Sequence, residues 1–212
     1  MAEAARSAGR TPSKRERARE TRRRLVRTAA RLWSERGFDE VTVEEICSAA
    51  GVGRTTFYLH FESKERLLNG LAAGTAAGVA SDLDAVRGTG TLHEHLDVFL
   101  RGVVRRMEAV PKSLVELVIH GFHIHQLHRG RVPGADDGTR FSDLLREVLA
   151  EARQRGELDA GVDVAELGEV LGAVTMDAIE AWASERVGDR PLASVLRTRF
   201  ELVLGSIVGR PT

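Results

Sequence analysis

Residues 41–68 read VTVEEICSAAGVGRTTFYLHFESKERLL, a run that fits two short helices, a glycine turn between them and the start of a third helix. Thr42 and Glu45 form a T-x-x-E capping box, and Val41 and Ile46 occupy the positions of a hydrophobic staple, so a helix is predicted from about Val43. Its apolar face is expected to be Ile46, Ala49 and Ala50. Gly51 supplies the left-handed residue that ends it without a Cβ penalty, and Val52 plugs the corner. The next helix, about Arg54 to His60, offers Phe57 and Phe61 to a core and leaves Arg54, Thr55, Thr56, Tyr58 and His60 facing outward. Ser63 then caps a further helix with Lys64 in its first turn.

An outward face of that composition suits DNA better than a protein core. Short polar side chains approach base edges and the thymine methyl, Arg forks onto guanine, and Tyr or Lys holds phosphate. The stretch GVGRTT (51–56) has a superficial likeness to a nucleotide-phosphate loop, but that motif needs a preceding strand and a Lys before its Ser/Thr. Here a helix precedes and Arg54 stands in the basic position, so the phosphate-loop reading is discarded.

With these residues the chain resembles the tetracycline-repressor (TetR) family of bacterial transcription regulators. The resemblance covers about Arg22 to Leu68: an Arg-rich helix ending in AARLWSERGF, then VTVEEICSAAGVGRTTFYLHF, then ESKERLL. It implies that Thr42 is a cap and phosphate contact, that Arg54, Thr55 and Thr56 read bases, and that Tyr58, His60 and Lys64 mainly touch phosphate. The sequence departs from the commonest family pattern at Thr55, where many relatives have Gly or Ala, and at Leu59, which is often polar or basic. Operator preference is therefore not transferable from a relative.

Composition supports an all-α fold. The 212 residues contain 5 Pro, 1 Tyr and 2 Trp, and no alternating β-branched run or internal repeat. Net charge is zero but unevenly spread: residues 1–70 hold 15 Lys+Arg and 10 Asp+Glu, an excess of +5, which leaves −5 for residues 71–212. That asymmetry points to nucleic acid at one end, with affinity falling steeply as salt rises. Cys47 is the only cysteine, so no intrachain disulfide is expected, and its place beside Ile46 favours packing over redox sensing. With no apolar run for a membrane span or signal core, a cytoplasmic protein is expected.

Along the chain, residues 1–12 are expected to be a basic flexible arm, 13–68 a helix-turn-helix DNA-binding domain with an N-terminal three-helix head, and 69–212 an effector-binding and dimerisation body. Ser13 and Glu16 form a capping box for a helix running to Gly37, with Leu25, Ala29, Leu32 and Trp33 inward. A long helix from Lys64 to about Arg87 carries Gly70, Gly74 and Gly78 at four-residue spacing, either for close packing or for a pliable link. Thr91 with Glu94 opens a helix to Met107; Pro111 suits the first turn of the next, Phe141 to Arg155 forms another, and Asp163 with Glu166 boxes a helix to about Glu185. Pro191 opens the last helix, which ends near Gly209.

The final two helices are apolar on more than one face. One stripe of the first is Leu167, Leu171, Val174 and Ala178; the other is Gly168, Gly172, Thr175, Ile179 and Trp182. The family resemblance implies a four-helix dimer interface, placed here on Leu167, Leu171, Val174, Ala178, Leu196, Phe200, Val203 and Ile207. A homodimer would read a palindromic operator with half-sites about one helical turn, roughly 34 Å, or more apart.

An effector pocket is placed on apolar and amphipathic residues of the body: Phe99, Val103, Met107, Leu117, Phe122, His123, Leu144, Met176 and Trp182. His120, His123, His125 and His128 lie on one predicted helix but spread over about 200° of it, so they do not converge on one ion. A metal sensor built on an adjacent pair and a third ligand stays open as an alternative, as does a DNA-organising protein without an effector. No phosphate loop, paired acidic metal motif or nucleophile with a base is present, so no catalytic residue, metal or cofactor is expected. The function read from the chain is a DNA-binding repressor released from its operator by an unknown small molecule.

Overall fold

A computed structural model describes residues 13–119 and 140–205, with only the backbone of Asn69. The elements are α1 (Lys14–Arg36), α2 (Val43–Ala50), α3 (Arg54–His60), α4 (Lys64–Asp84), α5 (Leu92–Met107), helical residues 112–119 (α6), α7 (Phe141–Gln154), α8 (Val164–Ala183) and α9 (Leu192–Leu204). No strand occurs among the described residues. The chain divides into two compact units, Met1–Gly70 and Leu71–Thr212.

In the first unit local chemistry sets each helix end. Ser13 and Thr42 make complete capping boxes: Glu45 N–H donates to the Thr42 hydroxyl at 3.2 Å, and Thr42 N–H donates to the Glu45 carboxylate at 2.8 Å. Gly51 ends α2 at φ 64°, and its N–H and that of Val52 reach the carbonyls of Ser48 (3.1 Å) and Cys47 (3.0 Å). Satisfying those orphan carbonyls in one left-handed residue lets α3 start three residues later, at Arg54. The core joins Leu25, Ala29, Leu32 and Trp33 of α1 to Val41, Ile46, Ala50, Phe57, Phe61, Leu67 and Leu68. One expectation needs correction: Ala49 is exposed, because the inner face of α2 runs through Ile46, Cys47 and Ala50. Burial first, and Glu44 second, push the Cys47 thiol pKa up against a smaller opposing pull from Arg54, which keeps the sulfur protonated as a packing atom.

The second unit is built around α8. Eleven of its 20 residues are buried, too many for one stripe. Gly168 and Gly172 admit the backbone of α7: a Cβ on Gly172 would lie 2.8 Å from Ser142 Cβ, and one on Gly168 would lie 3.1 Å from Arg146 Cα. Thr175, Ile179 and Trp182 continue that buried side. Leu167, Leu171 and Ala178 are buried as well, in one core with Phe99, Leu145, Leu149, Leu196 and Phe200.

The dimer interface read from the sequence is therefore corrected. Leu167, Leu171, Ala178, Leu196 and Phe200 are interior residues of a single protomer; Val174 and Val203 are half-buried against the same core, and Ile207 lies outside the described residues. What α8 and α9 leave exposed is narrower: Val170 and Ala173 on α8, and Leu202, 74 % exposed, on α9.

The pocket residues also sit in packed surroundings. Phe99, Val103, Leu144 and Trp182 are buried, and Met107, Leu117 and Met176 half-buried; Phe122 and His123 lie outside the described residues, as do His120, His125 and His128. Phe99 meets Phe141 edge-on at 5.6 Å and Phe200 at 6.1 Å. The space beside Leu144, also lined by His95 and Val148, is about 10 Å³. That is room for a water at most, whereas ligand sites are typically on the order of 300–1,000 Å³.

Smaller differences have local causes. α4 ends at Asp84, short of Arg87, whose guanidinium instead reaches Asp84 (2.9 Å), Glu147 (3.0 Å) and Glu151 (3.1 Å). Asp163 caps α8 by accepting from Ala165 and Glu166 N–H, while no return bond from the Glu166 side chain completes a box. Pro191 is the cap of α9 rather than its first residue. Among the α4 glycines, Gly70 packs on Val26 and Gly78 lies under the Arg106 guanidinium, but a Cβ at Gly74 would meet nothing within 4 Å.

Candidate nucleic-acid interface

α3 is a seven-residue helix with one anchored side and one free side. Phe57 and Phe61 are buried with ring centroids 5.8 Å apart, and Arg22 of α1 lies over the Phe61 ring at 4.3 Å while donating to the His60 carbonyl at 3.2 Å. A guanidinium at that carbonyl complements the negative end of the helix dipole. Sequence reading missed Arg22, because its partners lie 38 residues away.

The proposed contact residues divide by what they already hold. Arg54 is exposed and paired with Glu44 of α2 at 2.7 Å, a surface ion pair that contributes at most about 1 kcal/mol and yields readily to a guanine or phosphate. Thr55 is exposed, Thr56 half-buried, and Tyr58 is 48 % exposed with its ring edge-on to Phe57 at 5.3 Å. Leu59, where the sequence departs from the commonest family pattern, is 80 % exposed.

Three others are committed inside the unit. The Thr42 hydroxyl accepts from Glu45 N–H and lies 2.9 Å from the Glu45 carboxylate, so its proton is already placed in the cap. The Lys64 ammonium donates to the carbonyls of Phe38 (2.8 Å) and Val41 (3.1 Å) and sits over the Phe38 ring at 4.2 Å. Two of its three donors thus pin the segment entering α2, a role no sequence spacing advertises. His60 is half-buried, and burial, reinforced by Arg22, lowers its pKa, so near neutrality it offers DNA a neutral N–H rather than a positive charge.

Two helices joined at a left-handed glycine, the second presenting an exposed Arg/Thr/Tyr surface above a buried Phe pair, define a helix-turn-helix head of the DNA-binding kind. Comparison with known proteins agrees. Residues 25–71 match the family of bacterial regulatory proteins, tetR family. The chain is 45% identical over 49 residues to the uncharacterized HTH-type transcriptional regulator YerO of Bacillus subtilis (strain 168), covering 23% of this chain and 17% of that protein. It is 40% identical over 145 residues to the HTH-type transcriptional repressor KstR2 of Rhodococcus jostii (strain RHA1), covering 66% of this chain and 65% of that one. The fold matches that of Thermus thermophilus FadR, a TetR-family repressor in complex with lauroyl-CoA, with a TM-score of 0.72 and 26% identity over 90% of this chain and 97% of FadR.

Residues 25–71 are a TetR-family helix-turn-helix domain, and the chain shares the all-α fold of TetR-family transcriptional regulators. Members of that family bind DNA operators, act as dimers and bind small-molecule ligands. Among the described residues no helix is long and apolar enough to cross a membrane. No group of three or more His, Cys, Asp or Glu among them could hold a metal.

Proposed function

We propose that this protein is a homodimeric repressor that reads a palindromic operator with α3 and is released when a small molecule binds residues 71–212. The observation that carries the reading is the two-sided α3: Phe57 and Phe61 lock it to the head while Arg54, Thr55 and Tyr58 stay exposed for DNA. Thr56 and His60 flank that surface, and Thr42 and Lys64 hold it in place, with any phosphate contact from those two secondary to their internal bonds.

The dimer surface that suits this reading is the exposed strip of α8 and α9, with Val170, Ala173 and Leu202 at its centre. Half-buried Val174 and Val203 extend it, and Asp177, paired with Arg186 (3.4 Å) and with Arg199, borders it. An exposed apolar strip beside charged residues is the usual composition of such a contact. For the effector, the ~10 Å³ space beside Leu144 supports a ligand that displaces side chains, while an open groove of about 430 Å³ between α5 and α9, lined by Leu100, Val104 and Ala193 with Arg101, Arg105 and Arg197, offers existing room for one with an anionic group. FadR's complex with lauroyl-CoA makes an acyl thioester the first compound to try.

The test is to sequence the DNA fragments that the purified protein retains and to measure its mass in solution. A palindromic site with half-site centres about one helical turn or more apart, bound by a dimer, is expected, with Leu202→Arg giving a folded monomer that binds operator weakly. Retention of many unrelated fragments would sink the repressor reading in favour of a DNA-organising role. Release of the operator by lauroyl-CoA but not by coenzyme A alone would identify the effector class.

A further inference from the structure

Leu59 is the most exposed large apolar side chain among the described residues, and it lies on the helix that otherwise carries only polar outward groups. Its place on that helix follows from periodicity. At about 100° per residue, Thr55 and Leu59 are some 40° apart and stand opposite Phe57 and Phe61. Burial agrees: Phe57 is 0 % and Phe61 3 % exposed, Leu59 is 80 % exposed and Thr55 exposed. The Thr55–Leu59 ridge is thus the part of α3 farthest from the core, flanked by Tyr58 on one side and by Thr56 and His60 on the other.

A ridge in that position meets the floor of any groove that α3 enters. On that floor the chemistry available to Leu59 is restricted. It has no donor or acceptor for phosphate, and pressing it onto the O6/N7 edge of guanine or the N4 amine of cytosine would strip water from a polar group and return no hydrogen bond. The one apolar group on the major-groove edge of a base pair is the C5-methyl of thymine.

We infer that Leu59 is a specificity residue whose side chain packs on a thymine methyl in each operator half-site, selecting T·A over C·G at that position. The inference rests on α3 being the DNA reader, and it adds an apolar reader to the polar set of Arg54, Thr55 and Thr56. Because Thr55 also carries a methyl on the same ridge, the two side chains have to be told apart.

Replacing thymine with deoxyuridine removes only the methyl and leaves every hydrogen-bonding group of the pair in place. The experiment scans each thymine of the selected operator in this way, symmetrically in both half-sites, against the full-length wild type, Leu59→Ala, Leu59→Met and Thr55→Ser. One thymine position is expected at which wild type loses roughly four-fold in affinity per half-site, so roughly sixteen-fold for the dimer. At that position Leu59→Ala should show no further loss, while Leu59→Met and Thr55→Ser stay sensitive. Leu59 being solvent-exposed, the variants should melt with wild type, and Leu59→Met reports on the contact even if the alanine variant does not. Uniform insensitivity of wild type to deoxyuridine, equal sensitivity of Leu59→Ala, or loss of sensitivity in Thr55→Ser instead would each overturn the assignment to Leu59 while leaving the DNA-reading role of α3 intact. Failure of wild type to select any DNA sequence would remove both.

Discussion

The unit of residues 13–70 and the unit built on α5, α7, α8 and α9 are held together over different distances along the chain. In the first, Ser13, Thr42 and Gly51 act within three or four residues of the backbone they terminate, Trp33 meets Phe38 at 5.1 Å, and two longer braces, Arg22 to the His60 carbonyl and Lys64 to those of Phe38 and Val41, are added to these local devices. In the second, the decisive contacts join residues far apart: Leu92 N–H donates to Glu157 at 2.5 Å, Arg87 clamps Glu147 and Glu151, and Gly172 of α8 lies against Ser142 of α7. A DNA-reading surface has to keep one shape, and short-range devices preserve it cheaply. A body that answers to a ligand depends instead on which helix faces meet, and such interfaces have alternative packings.

The largest effect expected from this contrast is a selective loss of one unit. Phe57→Ala removes a fully buried ring and should cost about 3–5 kcal/mol, and Leu171→Ala about 2–5 kcal/mol. Hydrogen exchange on the full chain should show Phe57→Ala stripping amide protection from residues 13–70, and Leu171→Ala from α5, α7, α8 and α9. Equal loss in both units from either variant would break the comparison.

A middle-sized effect separates two glycines of identical sequence appearance. Gly172→Ala drives a Cβ to 2.8 Å from Ser142 Cβ, so α7 and α8 have to part, and overpacking of this kind costs about 1–3 kcal/mol. Gly74→Ala meets nothing within 4 Å and should gain up to about 1 kcal/mol from helix propensity. Opposite shifts of the urea midpoint are expected, and a destabilising Gly74→Ala would revive a conformational reason for that glycine.

The smallest effect is electrostatic and belongs to the caps. The Thr42 backbone N–H first, then the Arg36 side chain, hold the Glu45 carboxyl down from 4.5 to about 2. A depressed carboxylate pKa adds stability that is complete above the unfolded value and disappears as pH falls through the folded one. The melting temperature of residues 13–70 should therefore fall between pH 4.5 and about 2, and Glu45→Gln should flatten that part of the curve. Glu16 and Glu94, lowered first by the backbone N–H groups of Ser13 and Thr91, extend the same acid sensitivity to α1 and α5. An unchanged slope in Glu45→Gln would show that its box adds nothing to the acid response.

Particular residues show how far sequence reading reached. Three capping boxes, the Gly51 corner and the inner face of α1 were all legible, because each depends on side chains within a few residues of the backbone they act on. The candidate readers Arg54 and Thr55 and the candidate phosphate contact Tyr58 were legible as outward groups on α3 for the same reason. Lys64 was read as a phosphate contact, and its bracing of the Phe38 and Val41 carbonyls was not legible because they lie 26 and 23 residues away. Leu171 and Phe200 were assigned to a partner chain because periodicity reveals that a face is apolar but not which neighbour covers it.

From its sequence alone this protein was determined to be all-helical, to begin with a helix-turn-helix head and to present Arg54, Thr55 and Tyr58 on one short helix. Capping, left-handed glycine geometry and helical periodicity are local, and local rules act before any tertiary contact forms. Only the tertiary structure decided that α8 is buried on two sides, that Lys64 and Arg22 brace the head from within, and that Leu59 crowns the reading ridge. Those outcomes depend on which surfaces lose water against one another, and that is a property of the folded chain as a whole.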